Sequence, residues 1–340
     1  MGIKNLNSVI NKFNIFPKKK LNEIQLSVVA VDFSLFLYRF MYNHNNPYEC
    51  FLRQIMLFFR NNILPVYVID GAAPIEKNIL LNKRAIKRER ISDELDELLE
   101  IREIMIENKD YNGLKSIEPQ IIKLEKRCVQ FSRDIIQNLI DFFQYCGIPV
   151  IQENYESDWI LAKLNYHDIV DYVLSEDSDL LAFGAKKIMK NFSLTTEDFI
   201  LYDRNLLLKE LELNNNEFVD MCILCGCDYA PKIKNMNCKK SFELISQHKE
   251  IENTNISIDI NAVKKARNIF NKKINKNYIK ELSNKIIKND FDFPKMEYFL
   301  CEKIEKKYLI NQFFKICNKF ITHKRPRRSS SPLQIFFNLK

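Results

Sequence analysis

Two short runs of mainly β-branched residues, Val28 to Asp32 and Val66 to Asp70, each end in an aspartate, and this pattern leaves few folds open. A continuous apolar run, unlike an alternating one, reads as a strand buried on both faces of a parallel sheet. Side by side in such a sheet, the two strands deliver both carboxylates to one crevice at their C-terminal ends. Between them, Phe33 to Tyr42 and Tyr48 to Asn61 have helical spacing, and further strands are expected at Ile148 to Gln152, Val170 to Leu174 and Lys187 to Phe192. Strand and helix alternate. The expected class is therefore α/β, with a central, mostly parallel twisted sheet flanked by helices.

From about Lys77 to Tyr145 the pattern becomes a long, highly charged helical stretch, broken near Asp110 to Pro119 by Asn112-Gly113 and the proline. This reads as two helices projecting from the sheet, and on charge pattern alone as an antiparallel hairpin with a solvated face. Beyond roughly Asn253 the chain is helical and lysine-rich. It ends in a tail with Lys324-Arg325-Pro326-Arg327-Arg328 and three serines, a composition expected to be disordered. No internal repeat is evident.

With 340 residues, 46% of them hydrophobic, the chain has enough material for a substantial core. Lys and Arg number 52 against 44 Asp and Glu, a net +8 with local basic concentrations, which favours a polyanionic partner. Few glycines and many Lys, Asn and Ile fit an A/T-rich genome such as that of some large DNA viruses. Nine cysteines without a signal-peptide pattern ahead of them are expected to be reduced thiols in an intracellular protein. Cys222, Cys225, Cys227 and Cys238 raise a zinc alternative, which is outweighed because Cys222 and Cys225 fall within an apolar helix. No apolar run is long enough for a bilayer, and Met1-Gly2-Ile3-Lys4-Asn5-Leu6 lacks the Ser or Thr of a myristoylation signal, so no membrane role is expected.

Acidic residues recur at strand ends and in pairs: Asp32, Asp70, Glu156 with Asp158, Asp177 with Asp179, and Asp228. Taken singly, each is as well explained as a helix cap or a surface acid; Ser157-Asp158 and Ser175 to Ser178 both suit helix starts. Taken together, buried carboxylates repel one another and lose hydration unless cations neutralise them, and hard divalent ions with oxygen ligands do this best. Two such ions can activate water and stabilise the leaving oxygen of a phosphodiester.

In order along the chain, these stretches resemble the flap endonuclease family of structure-specific 5′ nucleases. Met1-Gly2-Ile3 with Leu6 resembles its opening, in which the initiator methionine is lost and Gly2 lies near the active site. Asp32-Phe33-Ser34, Pro65 to Gly71, Gly147-Ile148-Pro149 leading to Glu156 and Asp158, Ser175 to Leu180 with Phe183-Gly184, and Phe218-Val219-Asp220 through Asp228-Tyr229 resemble five further motifs. The likeness spans Met1 to about Glu250, three quarters of the chain. It implies a PIN-like flap nuclease fold with a helical arch and a helix-turn-turn-helix DNA-binding element. Asp32, Asp70, Glu156, Asp158, Asp177, Asp179 and Asp228 would then hold two Mg2+ ions, for which Mn2+ would substitute. Asp158 departs from the glutamate usual there.

The resemblance further places Lys77 and Arg84, one helical face apart by seven residues, at the scissile phosphate, and Tyr38 where an aromatic ring stacks on an unpaired base. Ile233 to His248, with Lys239 and Lys240, resembles the duplex-gripping element, but Asn235-Met236-Asn237 replaces its Gly-aliphatic-Gly turn. It implies a nuclease region over 1–105 including the base of the arch, the second half of the arch over 106–140, a further nuclease region over 141–252, a helical region over 253–320 and the tail from 321. The implied partner is flap, nicked or branched DNA, bound by a monomer working in the nucleus (a host's, if viral) or the cytoplasm. Ser330 to Phe337 resembles a degenerate sliding-clamp-binding peptide but lacks its leading Gln, so a sliding clamp is a candidate further partner. Two alternatives stay open: an RNA endonuclease of the same family, and a protein that binds branched DNA without cutting it.

Overall fold

The computed structural model describes residues 2–3, 5–43, 46–71, 78–128, 132–287 and 289–322. A short helix α1 (Asn7–Ile10) and strand β1 (Lys18–Lys20) lead into β2 (Val28–Asp32), and helices α2 (Phe33–Tyr42) and α3 (Pro47–Arg60) return the chain to β3 (Leu64–Ile69). Three helices follow, α4 (Asn78–Glu107), α5 (Tyr111–Arg127) and α6 (Arg133–Tyr145). Strand and helix then alternate through β4 (Val150–Gln152), α7 (Ser157–Tyr166), β5 (Tyr172–Leu174), α8 (Asp179–Ala182), β6 (Lys187–Lys190) and β7 (Asp198–Asp203). The remainder is helical: α9 (Arg204–Leu211), α10 (Asn215–Cys225), α11 (Cys238–His248), α12 (Ile260–Phe270), α13 (Lys276–Lys285), α14 (Phe293–Lys303) and α15 (Lys307–Thr322).

The strands form one sheet in the order β1-β7-β6-β5-β2-β3-β4. Neighbours from β6 to β4 are parallel, with Asp32 opposite Val68 and Val31 opposite Leu174. Pairings of β7 with β6 and β1 are antiparallel, so the sheet is mixed at one side. The pattern of buried runs does not reveal β1, because Lys18-Lys19-Lys20 carries no apolar signal. Three lysines suit an edge strand, where charge discourages pairing with another chain.

Successive residues of the central strands enter different cores. Val28 and Ala30 of β2, with Val66 and Val68 of β3, pack against α7, α10 and α12. Val29, Val31, Tyr67 and Ile69 pack on the opposite face against α2, α3, α6, α14 and α15. That second face is aromatic: the Tyr67 and Phe143 rings stack with centroids 4.0 Å apart, and Phe51 meets both edge-on. The Tyr67 hydroxyl donates to Gln54 Oε1 at 2.8 Å, which satisfies the phenol inside the core.

The abundant Asn and Asp residues find a local use. Asn46, Asn214, Asn237 and Asn275, with Asp110, Asp203, Asp259 and Asp292, each accept backbone N–H bonds at the start of a helix. The break in the charged stretch is shorter than the spacing predicts. It spans Asn108 to Asp110, with Lys109 left-handed at φ 54°. Asp110 caps α5, and Pro119 lies inside that helix instead of ending it. α4 and α5 are held together by buried Ile91, Ile117, Ile121 and Leu124 and by Arg102 Nε donating to Glu118 Oε1 at 2.8 Å.

The expectation of wholly reduced thiols needs correction. Cys225, at the end of α10, and Cys238, at the start of α11, form a disulfide, with Cα atoms 4.5 Å apart. Packing of the two helices brings together residues that are 13 apart in sequence, a closeness no local pattern reports. It also removes two of the four sulfurs weighed for zinc. Lys77 and the tail from His323, with its basic run and clamp-like peptide, lie outside the described residues.

Because Phe143 is fully buried between Tyr67, Phe51 and Phe142, Phe143→Ala should cost about 3–5 kcal/mol, the range for emptying an aromatic core position. Denaturant unfolding checks this. A loss below about 1 kcal/mol would mean that the aromatic layer does not hold α6 to the sheet.

Candidate active site

Strand order, more than any single motif, assembles the site. Four parallel neighbours, β5-β2-β3-β4, end at the same edge of the sheet. Asp32 closes β2 and Asp70 follows β3; Asp177 and Asp179 follow β5, and Glu156 and Asp158 follow β4. This is the edge at which open α/β sheets place ligand crevices. Asp228 arrives from elsewhere, on the loop after α10, between Cys227 and Tyr229, which both sense the Asp179 charge.

Four of the carboxylates are oriented by hydrogen bonds. Asp32 caps α2, accepting from Leu35 N at 3.1 Å, and its other oxygen accepts from Ser175 Oγ at 2.8 Å. Asp70 Oδ1 accepts from both the backbone nitrogen of Ser157, at 3.2 Å, and its hydroxyl. Asp177 Oδ1 accepts from Asp179 N at 2.9 Å, while Tyr229 donates its hydroxyl to Glu156 Oε2 at 2.8 Å. Thus Ser157, Ser175 and Tyr229 orient the acids, a role the spacing of acidic residues did not identify. The sequence signal was a hydroxyl beside each acid pair. Read as caps, Ser157 instead lies within α7, whose N-cap is Glu156, and Ser178 makes no side-chain cap bond.

Gly2 lies against the acids Asp177 and Asp179. Its φ of 81° is left-handed, and a Cβ there would overlap Asp177 Oδ1 and stand 2.8 Å from Asp179 N. Only glycine permits so close an approach of the chain to these acids.

Crowding shows in the electrostatics. Burial, and next the Asp70 charge, raise Asp32 to about 7, although bonds from Ser175 and Leu35 oppose the rise. Asp158 is held well above the carboxylate range by burial and then by Asp177, Asp32, Asp179 and Asp70. Five of the expected ligands therefore share one electrostatic neighbourhood, and Glu156 joins it through Tyr229, which senses Glu156, Asp179 and Asp158. Lys190, buried in β6, feels Asp177, Glu176 and Asp179, which oppose the lowering of its pKa by burial.

Among the described residues, no group of three or more acidic, histidine or cysteine side chains stands close enough to hold a metal ion. The donors themselves fit divalent cations: several buried, oxygen-bearing groups whose ionisation is resisted until positive charge arrives. What the fold provides is a convergent set of carboxylates, each of which resists the ionisation of its neighbours.

Tyr38, on α2, is 44% exposed, and its ring lies 5.9 Å from that of Tyr42, one turn on. An aromatic pair facing solvent contrasts with buried Phe33, Phe36 and Phe40 on the other side of the helix. Arg84 lies on α4, where Lys83, Lys87, Arg88 and Arg90 are exposed; its own side chain and all of Lys77 fall outside the described residues. Lys239 and Lys240 are exposed in the first turn of α11. Lys239 pairs with Glu243 at 3.9 Å, and Lys240 Nζ donates to Asn235 O at 3.4 Å. In the preceding turn Asn235 takes the left-handed conformation, φ 60°, and Asn237 caps the helix by accepting from Lys240 N at 3.0 Å. Asparagine thus supplies the backbone shape otherwise left to glycine.

Comparison with known proteins bears on the family and the fold. The XPG N-terminal domain model matches residues 1–91, and the XPG I-region model matches residues 147–228. Flap endonuclease 1 of Caenorhabditis elegans is 30% identical over 298 residues, covering 79% of this chain and 74% of the relative. For flap endonuclease 1 of Plasmodium knowlesi (strain H) the figures are 30% over 332 residues, 87% and 53%; this chain spans about half the length of that relative. A probable RAD2-like endonuclease of Invertebrate iridescent virus 3 is 25% identical, with 79% and 85% covered. Among solved structures, the catalytic core of Rad2 in complex with DNA substrate superposes with a TM-score of 0.64 at 17% identity, covering 93% of this chain and all of that one. Human GEN1 in complex with Holliday junction DNA gives 0.61 at 16% identity, with 96% and 81% covered, and at such identities the likeness speaks for the fold. With the sequence models, the Caenorhabditis elegans relative and the fold in agreement, the chain belongs to the flap endonuclease (XPG/Rad2) family.

Proposed function

We propose that the protein is a magnesium-dependent, structure-specific 5′ nuclease that cuts phosphodiester bonds in flap or branched DNA during replication, repair or recombination. The observation that carries this reading is the set of carboxylates gathered at the ends of four adjacent parallel strands, with their ionisation resisted by one another. Asp32, Asp70, Glu156, Asp158, Asp177, Asp179 and Asp228 would hold the cations, directly or through water. Bound there, two divalent ions supply Lewis acidity and a nucleophilic water. The chain's residues do the rest. Ser157, Ser175 and Tyr229 fix the carboxylate orientations, Tyr38 and Tyr42 offer a sequence-tolerant platform to an unpaired base, and Lys239 and Lys240 grip duplex backbone. Lys77 and Arg84 neutralise charge developing on the phosphoryl group, and the basic start of α4 draws DNA toward them. A DNA substrate favours work in the nucleus, a host's if the chain is viral, with the cytoplasm as the alternative.

Asp179→Ala should abolish cleavage of a labelled 5′ flap while leaving affinity for it largely intact, since the change removes an expected ligand without touching the cationic surfaces. Cleavage at the wild-type rate in saturating magnesium would reject the assignment. Parallel assays on single-stranded RNA and four-way junctions separate DNA flap cutting from its alternatives.

Metal-free stability offers an independent check. Asp32 ionises near 7 in the folded protein and near 3.8 when unfolded, so between these values the folded state binds the extra proton. Its contribution to stability is therefore greatest at low pH and is lost as pH rises toward 7. Thermal unfolding in EDTA should show Asp32→Asn gaining on the wild type across that window, with a difference that levels off above it. A difference independent of pH would mean that Asp32 is not under the strain described.

Arg84→Ala should lower single-turnover cleavage by about a hundredfold, the scale of losing one preorganised electrostatic donor, with far less effect on binding. Arg90→Ala removes the same charge from the same basic stretch and should have a small, salt-sensitive effect. Equal modest losses in both would assign Arg84 to general attraction of DNA.

A further inference from the structure

At the far ends of α7 and α10 from the carboxylates, a cleft of about 510 Å3 opens between the end of α7, the Phe183-Gly184 turn, the start of α10 and the end of α12. Lys163, Tyr166, His167, Asn215, Lys272 and Lys273 lie along it, and no acidic residue does. Lys163 is only 8% exposed, and its Nζ donates to Phe183 O at 3.2 Å. Arg204, 6% exposed, stands behind it, with Nε donating to Leu181 O at 2.7 Å and Nη2 to Asn215 Oδ1 at 2.6 Å. Among the described residues, neither cation is paired with a carboxylate. Each is held by neutral oxygens, and Arg204 adds to burial in pulling Lys163 below its usual range. Two buried like charges without a counter-ion are destabilising unless an anion completes the set.

We infer that this cleft binds a phosphate-bearing ligand of mononucleotide size. Lys163 meets the phosphate, Lys273 closes over it, and Arg204 orients Asn215 at the rim. The volume exceeds what a bare phosphate fills, and the cleft has a place for a ring. Tyr166 is about half exposed, and the ammonium groups of Lys163 and Lys186 each lie 5.7 Å from its centroid. Lys186 is already paired with Asp168 at 2.6 Å, which leaves Lys163 to the ligand. Gly184 borders this ring, where a Cβ would only reach ordinary contact with it at 3.4 Å. Asn215, Asn216 and Asn271 add amide groups to the same lining. An aromatic face, amides and an unpaired buried cation are what a nucleoside monophosphate recognises. The cleft is separate from the proposed cleavage site, from which α7 and α10 lead to it.

Calorimetric titration of the full chain in EDTA, with deoxyadenosine monophosphate, inorganic phosphate and deoxyadenosine as separate probes, tests this inference without requiring cleavage. One saturable site is expected, tightest for the nucleotide. Lys163→Met should weaken it about tenfold or more, as loss of a charged hydrogen bond does. Tyr166→Ala, at a half-exposed position, should keep phosphate binding and lose the preference for the nucleotide. Photolabelling of the wild type with an azidopurine mononucleotide should mark peptides containing Tyr166 or residues 271–274, a readout that stands even where Lys163→Met does not fold. Absence of saturable binding, unchanged affinity in both folded variants, or labelling confined to other peptides would overturn the inference.

Discussion

Register in the parallel ladder β5-β2-β3-β4 is the constraint from which the rest of the molecule follows. Residues on alternate sides of β2 and β3 enter two different hydrophobic cores, one built on α7, α10 and α12 and the other on an aromatic layer. A slip of one residue would exchange these faces and take Tyr67 away from its stacked partner Phe143 on α6. With the register pinned, the strand ends are pinned too. Carboxylates that repel one another are thus held within reach by apolar packing far from their own oxygens.

That division of labour explains the chemistry of the edge. A rigid scaffold can hold buried acids whose ionisation is unfavourable, as Asp32 and Asp158 show, because the opposing packing is distributed over many aromatic and aliphatic contacts. Such strain favours cations without a prebuilt cage. Ser157, Ser175 and Tyr229 add direction, orienting Asp70, Asp32 and Glu156 before any ion arrives.

The same elements extend the site outward. α2 starts at Asp32 and carries Tyr38 and Tyr42 on its exposed side, so one helix links a carboxylate to an aromatic platform. α10 ends just before Asp228 and is joined by a disulfide to α11, whose first turn presents Lys239 and Lys240. α7 begins at the acids and ends at Tyr166 in the second cleft. Function therefore clusters at helix ends, while the middles of the helices pack.

By itself, the sequence determined the buried strands, their terminal acids and most helices, because these depend on local periodicity and on residue chemistry that a short window contains. Its likeness to a family ordered the seven acids and singled out Gly2 and Tyr38. Tertiary structure decided what no window holds. Only strand order shows that Asp32, Asp70, Asp158, Asp177 and Asp179 converge, since their separations in sequence reach 147 residues. The antiparallel edge strand of three lysines, Pro119 inside a helix, the Cys225–Cys238 bond and the Ser175 hydroxyl on Asp32 were likewise settled by neighbours brought in from afar. Local preference is weak, and packing overrides it wherever a distant partner offers more.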